Sequence, residues 1–378
     1  MKRQRHSYWF SRLAAGLIRR LQAALAGLFR VLRFPVFSPT GYRHVEAAPA
    51  PGSDHWDPQV PLSWFQRNRP WLRRLTGGVM LRLLALPLIT LLSIAVIVLV
   101  SLRTGRTEIT QFPDGLRLYY ESVDFASEDG TRLSGWFVPS LSADDVIDLG
   151  DKALCRKRPG VVLCHGIGGN RSQLLPLAAW LNRQGFEVLL FDFRACGLST
   201  GNTRSLGLWE RSDALAAAHY LAGRSTVDPR RLALIGIDVG GFAALGAAAR
   251  DHSVRAVALI NTDSDLRAAV ARKLGADRLV GQLCTNAYVW GFQSYFRAHD
   301  GQLSAVRLAE ALAGDQSLLL LTSKSRLDLQ ASAARITADS PAHALAVTVP
   351  DHALTPFVNP ADLAPVLSSF LGQTLHTD

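Results

Sequence analysis

From residue 115 onward, apolar runs of strand length alternate with stretches of helical character. LRLYYESVDFAS and TRLSGWFVPS flank the turn Glu128-Asp129-Gly130, which reads as a β-hairpin. VVLCHG precedes an expected helix near Ser172–Gln184, and EVLLFDF precedes one near Leu208–Ala222. RLALIGI runs into an expected helix over Gly240–Arg250, and VRAVALIN follows. SLLLLTS leads to Ala331–Ala338, and ALAVTV to Ala361–Leu371. Continuous Val/Leu/Ile runs interleaved with helices predict a mostly parallel sheet covered on both faces, an open α/β architecture. About fifty residues separate VRAVALIN from SLLLLTS, too many for a simple crossover. That stretch is helix-rich and holds Tyr288, Trp290, Phe292, Tyr295 and Phe296, so a helical cap over about 263–313 is expected.

The pattern upstream is different. Leu83 to Val100 is an uncharged run, LLALPLITLLSIAVIVLV, and Leu81–Leu102 holds only Arg82 as a charge. At 1.5 Å per residue, about 22 residues would reach roughly 33 Å, enough for a bilayer core. A buried core helix is the competing reading. Over residues 7–34, Arg12, Arg19, Arg20, Arg30 and Arg33 fall on one side of a helical wheel. Phe10, Leu13, Leu17, Leu21, Leu25, Leu28 and Leu32 fall on the other. Such a basic amphipathic helix over 1–34 suits an anionic lipid surface, although a transit peptide or a protein-facing helix shares the pattern. Residues 35–80, with seven prolines from Pro35 to Pro70, read as an irregular linker.

Charge sharpens this division. Residues 1–82 carry 14 Lys and Arg against three acids, whereas the other 296 residues carry 27 against 28. The high pI therefore belongs to the N-terminal segment, and a nucleic-acid partner is not expected of the near-neutral body. The basic flank before residue 83 favours an N-terminus on the cytoplasmic side and a body on the other. Cys155, Cys164, Cys196 and Cys284 include no C-x-x-C pair, so neither a zinc site nor a disulfide framework is read from them. No G-x-G-x-x-G or P-loop motif follows a strand, and neither a metal nor another cofactor is expected.

Four motifs in order carry a family resemblance: His165-Gly166-Ile167-Gly168-Gly169-Asn170-Arg171-Ser172, Asp192-Phe193-Arg194-Ala195-Cys196-Gly197-Leu198-Ser199, Gly236-Ile237-Asp238-Val239-Gly240-Gly241, and Pro350-Asp351-His352. Over roughly residues 105–378 the chain resembles the α/β-hydrolase superfamily. The resemblance implies a nucleophile on a sharp strand-to-helix turn, small-x-nucleophile-x-small. Asp238 fills that position, where most relatives carry serine. A literal G-x-S-x-G at Gly197–Gly201 enters a loop rather than a helix, so Ser199 reads as structural.

The resemblance assigns His352 as the base after the last strand, and the backbone N–H groups of Ile167 and Val239 as the oxyanion hole. Lys324, Ser325 and Arg326 occupy the stretch where relatives commonly place the acid, leaving Asp328 slightly late. Asp263 and Asp265 are the alternative acids, and each could equally cap a helix. His343 is a weaker candidate base. An aspartate nucleophile resembles those of epoxide hydrolases and haloalkane dehalogenases, where it forms an alkyl–enzyme ester. Val239 stands where dehalogenases usually carry Trp, and Gly168 where epoxide hydrolases usually carry Pro. Tyr288 and Tyr295 are either cap acids or packing residues. Two functions follow as expectations: a membrane-anchored hydrolase of a small-molecule ester or other carbon electrophile, or a non-catalytic ligand- or partner-binding domain at the membrane.

Overall fold

A computed structural model describes residues 85–103 (without 87 and 91), 106–140, 147, 150, 156–274, 279–351 and 360–375. The chain divides into two units, Met1–Thr90 and Leu91–Asp378. The expected basic helix over 1–34 and linker over 35–80 lie outside the described residues.

The second unit is built on one eight-stranded sheet. β1 (Glu121–Ala126) and β2 (Arg132–Val138) form the expected hairpin, with antiparallel pairs from Glu121 opposite Phe137 to Ala126 opposite Arg132. β3 (Arg158–Cys164) leads through a 3-10 turn into α1 (Leu175–Arg183). β4 (Glu187–Phe191) and α2 (Glu210–Ala222) follow, then β5 (Val227–Ile237) and α3 (Val239–Ala248). β6 (Val254–Ile260) opens into α4 (Leu266–Leu274), α5 (Leu279–Phe296) and α6 (Ala305–Glu310). β7 (Ser317–Ser323), α7 (Leu327–Ala338), β8 (His343–Val349) and α8 (Pro360–Leu375) complete the order.

The spatial order is β1-β2-β4-β3-β5-β6-β7-β8, parallel from β4 to β8. Every residue of β3 and β4 is buried, as expected of strands covered on both faces. One apolar layer joins α2 and α3 to the sheet through Leu234, Val257, Leu215 and Leu245. The opposite layer joins α1 and α8 through Leu163, Ile235, Leu177 and Leu367. Each such side chain contributes roughly 1.5–3 kcal/mol on burial.

The expected membrane span over 81–102 is described only in part, since residues 81–84, 87 and 91 lie outside the description. Among the described residues no helix is long and apolar enough to cross a membrane. Residues 92–102 are helical, and their inner stripe clusters with α5: Ile94, Val98 and Leu102 pack with Val289 and Phe292. The Ser101 and Tyr288 hydroxyls share a 2.8 Å hydrogen bond. Leu92, Val96, Ile97 and Val100 on the same helix remain exposed. One stripe of this apolar helix is thus packed on the body, and its outer apolar side chains are left uncovered.

Candidate active site

The turn between β5 and α3 has a constrained backbone. Asp238 has φ 52° and ψ −116°, a conformation that costs an L-residue of order 1–3 kcal/mol. The residues two positions to either side cannot be larger than glycine. A Cβ on Gly236 would lie 2.3 Å from the Gly240 carbonyl oxygen, and one on Gly240 would lie 2.3 Å from the His165 carbonyl oxygen. The close approach brings the β3 loop against the elbow. Backbone bonds fix the turn, with Asp238 N–H donating to Ile260 O at 2.9 Å and Phe242 N–H to Asp238 O at 3.3 Å.

The β3 loop is held by its own side chains. His165 is buried; its Nε2 accepts from Phe193 N–H at 3.1 Å, so Nδ1 carries the proton and donates to Gly166 O at 2.9 Å. Burial holds this imidazole's pKa below the usual value, in agreement with that neutral form. Asn170 Oδ1 accepts from Ser172 N–H and Oγ–H at 2.9 and 2.6 Å, capping the turn that follows. Asp192 accepts from Arg171 N–H at 2.7 Å and Leu198 N–H at 2.9 Å, tying the loops after β3 and β4 together. Ile167 and Val239, the expected oxyanion pair, line one small cleft of about 20 Å³. Among the described residues neither backbone N–H donates a hydrogen bond, so two donors remain uncommitted beside the elbow.

The electrostatics of the elbow come from the cap. Arg272 on α4 donates from Nη2 to Asp238 Oδ1 at 3.4 Å. It also grips Asp263, with Nε to Oδ1 at 3.1 Å and Nη2 to Oδ2 at 2.6 Å. The Asp238 side chain is 20% exposed. Burial raises its carboxyl pKa; Lys273 and Arg272 pull it down, Asp263 pushes it up, and the balance stays above the usual carboxylate value.

The candidate acids are spread apart. Asp265 accepts from Ala268 N–H at 2.7 Å, the capping role open to it from the sequence, and lies 3.7 Å from Arg335. Asp263 is committed to Arg272. Asp328 sits in the first turn of α7 and accepts from Arg326 Nε at 3.1 Å and Nη2 at 2.8 Å. That pairing depresses its pKa. His352 lies outside the described residues; its neighbour Asp351 accepts from Ser325 N–H at 2.9 Å and from the Ser323 hydroxyl. His343 opens β8 and is exposed. Tyr295 is exposed against Phe296, and Tyr288 is occupied by Ser101.

Ser199 is fully buried. Its hydroxyl donates to Asp192 O at 2.5 Å and accepts from Ser134 N–H at 2.9 Å. Arg272 was not legible as a site residue: it stands 34 positions from Asp238, on a cap helix whose only signal is the Arg-Lys pair at 272–273.

A domed elbow after a central parallel strand, an adjoining loop with free backbone donors and a helical cap define a hydrolase-type scaffold. The family model for the alpha/beta hydrolase fold matches residues 159–349, and the chain belongs to this family. An uncharacterised protein of Escherichia coli O157:H7, YfhR, is 38% identical over 145 residues, 38% of this chain and 47% of that protein. A polyketide transferase of Stachybotrys chlorohalonatus is 32% identical over 145 residues, 38% of this chain and 43% of that protein. The chain thus spans about half the length of the curated relatives it matches. Among solved structures, a Pyrococcus furiosus esterase aligns with TM-score 0.54 at 19% identity, covering 72% of this chain and 98% of that one. A hypothetical protein of Pseudomonas aeruginosa aligns with TM-score 0.53 at 17% identity, covering 72% of this chain and all (100%) of the other. These likenesses establish the fold.

Proposed function

We propose that this protein is a membrane-associated hydrolase in which Asp238 forms a covalent ester with a carbon electrophile. The observation that carries the reading is the positive-φ elbow, kept between two glycines that admit no side chain, with a carboxylate at its apex. Strain of this kind persists where the surroundings over-determine it, and it clusters at functional sites. An ionised Asp238 oxygen attacks the carbon and displaces a halide or an epoxide oxygen, which leaves with the bond's electron pair. The new ester is then opened at its carbonyl by water, whose proton passes to His352. The Ile167 and Val239 N–H groups steady the oxyanion, and collapse returns the carboxylate and an alcohol. Arg272 favours the ionised nucleophile against its burial. The uncharged run at 83–100, the exposed side of helix 92–102 and the basic balance of residues 1–82 support a bilayer as the place of work.

A second reading is favoured by one specific arrangement. Arg272 already occupies Asp238 Oδ1, and Arg326 stands in the stretch where a triad acid is expected. On that reading the cleft binds a ligand without turning it over.

Intact mass of the full-length His352→Ala variant, incubated with haloalkanes and epoxides, separates the two. Alkylation needs no base and hydrolysis does, so the variant should accumulate an adduct mapped to Asp238. Absence of any adduct, together with a ligand-induced rise in Tm, would transfer the assignment to binding.

A further inference from the structure

A cavity lies away from the elbow. It measures about 560 Å³, within the range that holds a small organic ligand, and neither Asp238 nor Arg272 lines it. One wall is β1 and β2, through Ser122, Asp124, Ser134 and Trp136. Another is the segment 106–112, which is built in place rather than laid loosely over the sheet. Arg106 donates to the carbonyl oxygens of Gly197 at 3.1 Å and Gly201 at 2.9 Å, and also to that of Ser199. Asn170 Nδ2 donates to Thr107 O at 3.2 Å and Glu108 O at 3.0 Å.

At this cavity stands the Arg171 side chain, only 1% exposed. Its guanidinium lies 4.8 Å from the centre of the Trp136 ring. Phe112 and Tyr120 pack on the same ring at 5.6 and 5.7 Å, giving the cavity an aromatic wall. A guanidinium has five N–H donors. Among the described residues Arg171 spends one of them, from Nη2 to Ser134 Oγ at 3.1 Å. Its Nε forms a buried ion pair with the Asp192 carboxylate, 3.1 Å from Oδ2, which balances the charge and leaves Nη donors over. Buried donors in surplus are costly unless acceptors reach them.

We infer that this cavity is a second binding site, one that takes a small monocarboxylate carried on a flat apolar or aromatic body. A carboxylate matches the planar fork of a guanidinium. Trp136, Phe112 and Tyr120 would face the body of the ligand. A dianionic phosphate suits the site less well, because Glu108 and Asp124 also line the cavity and would oppose a second negative charge.

The test is calorimetric titration of the full-length protein with phenylacetate and indole-3-acetate, each beside its primary amide. The acids should bind saturably and about tenfold or more tighter than the amides, the worth of one charge-assisted hydrogen bond. Because Arg171→Gln could unfold the protein, location is tested with Ser122→Trp, at an exposed position on β1 that fills the cavity. This variant should keep the wild-type Tm and lose binding at least tenfold. Equal binding of acid and amide, no saturable binding of either acid, or undiminished binding to a folded Ser122→Trp protein would each overturn the assignment.

Discussion

Two segments of this chain follow the same five-residue outline, and their fates are opposite. Gly197-Leu198-Ser199-Thr200-Gly201 holds a serine between glycines, and Gly236-Ile237-Asp238-Val239-Gly240 holds an aspartate. Ser199 lies in a loop, fully buried, its hydroxyl saturated by the Asp192 carbonyl and the Ser134 amide. Asp238 lies on a strained strand-to-helix turn, partly exposed, its carboxylate met by a cap arginine. On the proposed function, the backbone that presents a residue, rather than its letter, marks the nucleophile. Ser199 has the better chemistry and the wrong backbone; Asp238 has the reverse.

The largest effect expected from this contrast is catalytic. Asp238→Ala should lower turnover of any accepted electrophile by about a thousandfold or more, the scale of losing a covalent nucleophile. Circular dichroism should be unchanged, since the backbone bonds of the turn to Ile260 and Phe242 remain. Ser199→Ala should retain the activity per folded molecule. It should lose stability by about 1–3 kcal/mol, because the partly buried Ser134 N–H is left without its acceptor. Activity lost in Ser199→Ala with stability intact would invert the comparison. Steady-state kinetics beside urea denaturation of both variants reads this directly.

The next effect is structural and sharpens the claim that backbone carries the site. Gly240→Ala would drive a Cβ to within 2.3 Å of the His165 carbonyl oxygen and 2.4 Å of the Cys164 carbonyl oxygen. Neither is the free end of a flexible side chain. The elbow and the β3 loop must separate, at a cost of about 3 kcal/mol or more, on the scale of severe overpacking. Gly372→Ala is the control, since a Cβ there meets nothing within 4 Å. Tm should fall sharply for the first and barely for the second. Similar values for both would mean that the elbow is softer than its geometry implies.

The difference between the two halves of the cleft also decides what was legible beforehand. The parallel part of the sheet was readable because its strands are continuous apolar runs separated by stretches of helical character. The elbow, the β3 loop and the capping option of Asp265 were readable because glycine, asparagine and short acids act on residues a few positions away. The cap electrostatics were not readable. Arg272, Asp263 and Asp238 meet through the tertiary fold, and no local period or turn rule foretells a contact across 34 residues. The Arg171 cavity was hidden for a related reason. Asn170 and Arg171 were legible as parts of a loop motif, but the segment 106–112 that walls the cavity has no periodicity to announce it. The apolar run at 83–100 was visible as composition. Composition alone did not foretell that Val98 and Leu102 pack against Phe292.

The smallest expected effect concerns pH, and it again separates a structural side chain from the proposed nucleophile. His165 belongs to the same loop as Ile167, the proposed oxyanion donor, yet its hydrogen bonds require the neutral ring: Nε2 accepts from Phe193 and Nδ1–H donates to Gly166. Burial lowers its pKa in the folded state. Below the unfolded value of about 6.5 the unfolded chain therefore binds the extra proton first. The stability contributed by neutral His165 is complete above that pH and is lost as pH falls toward the folded pKa. Asp238 contributes with the opposite sign. Its folded pKa is raised, so protonation on acidification relieves rather than adds cost in the native state. Between pH 7.5 and 5.5 the wild-type Tm should fall by a few degrees, and His165→Gln, whose amide oxygen can still accept from Phe193 N–H, should flatten the slope. Asp238→Asn should leave that slope in place. A slope that vanishes in Asp238→Asn and survives in His165→Gln would assign the acid sensitivity to the elbow and remove His165 from the account.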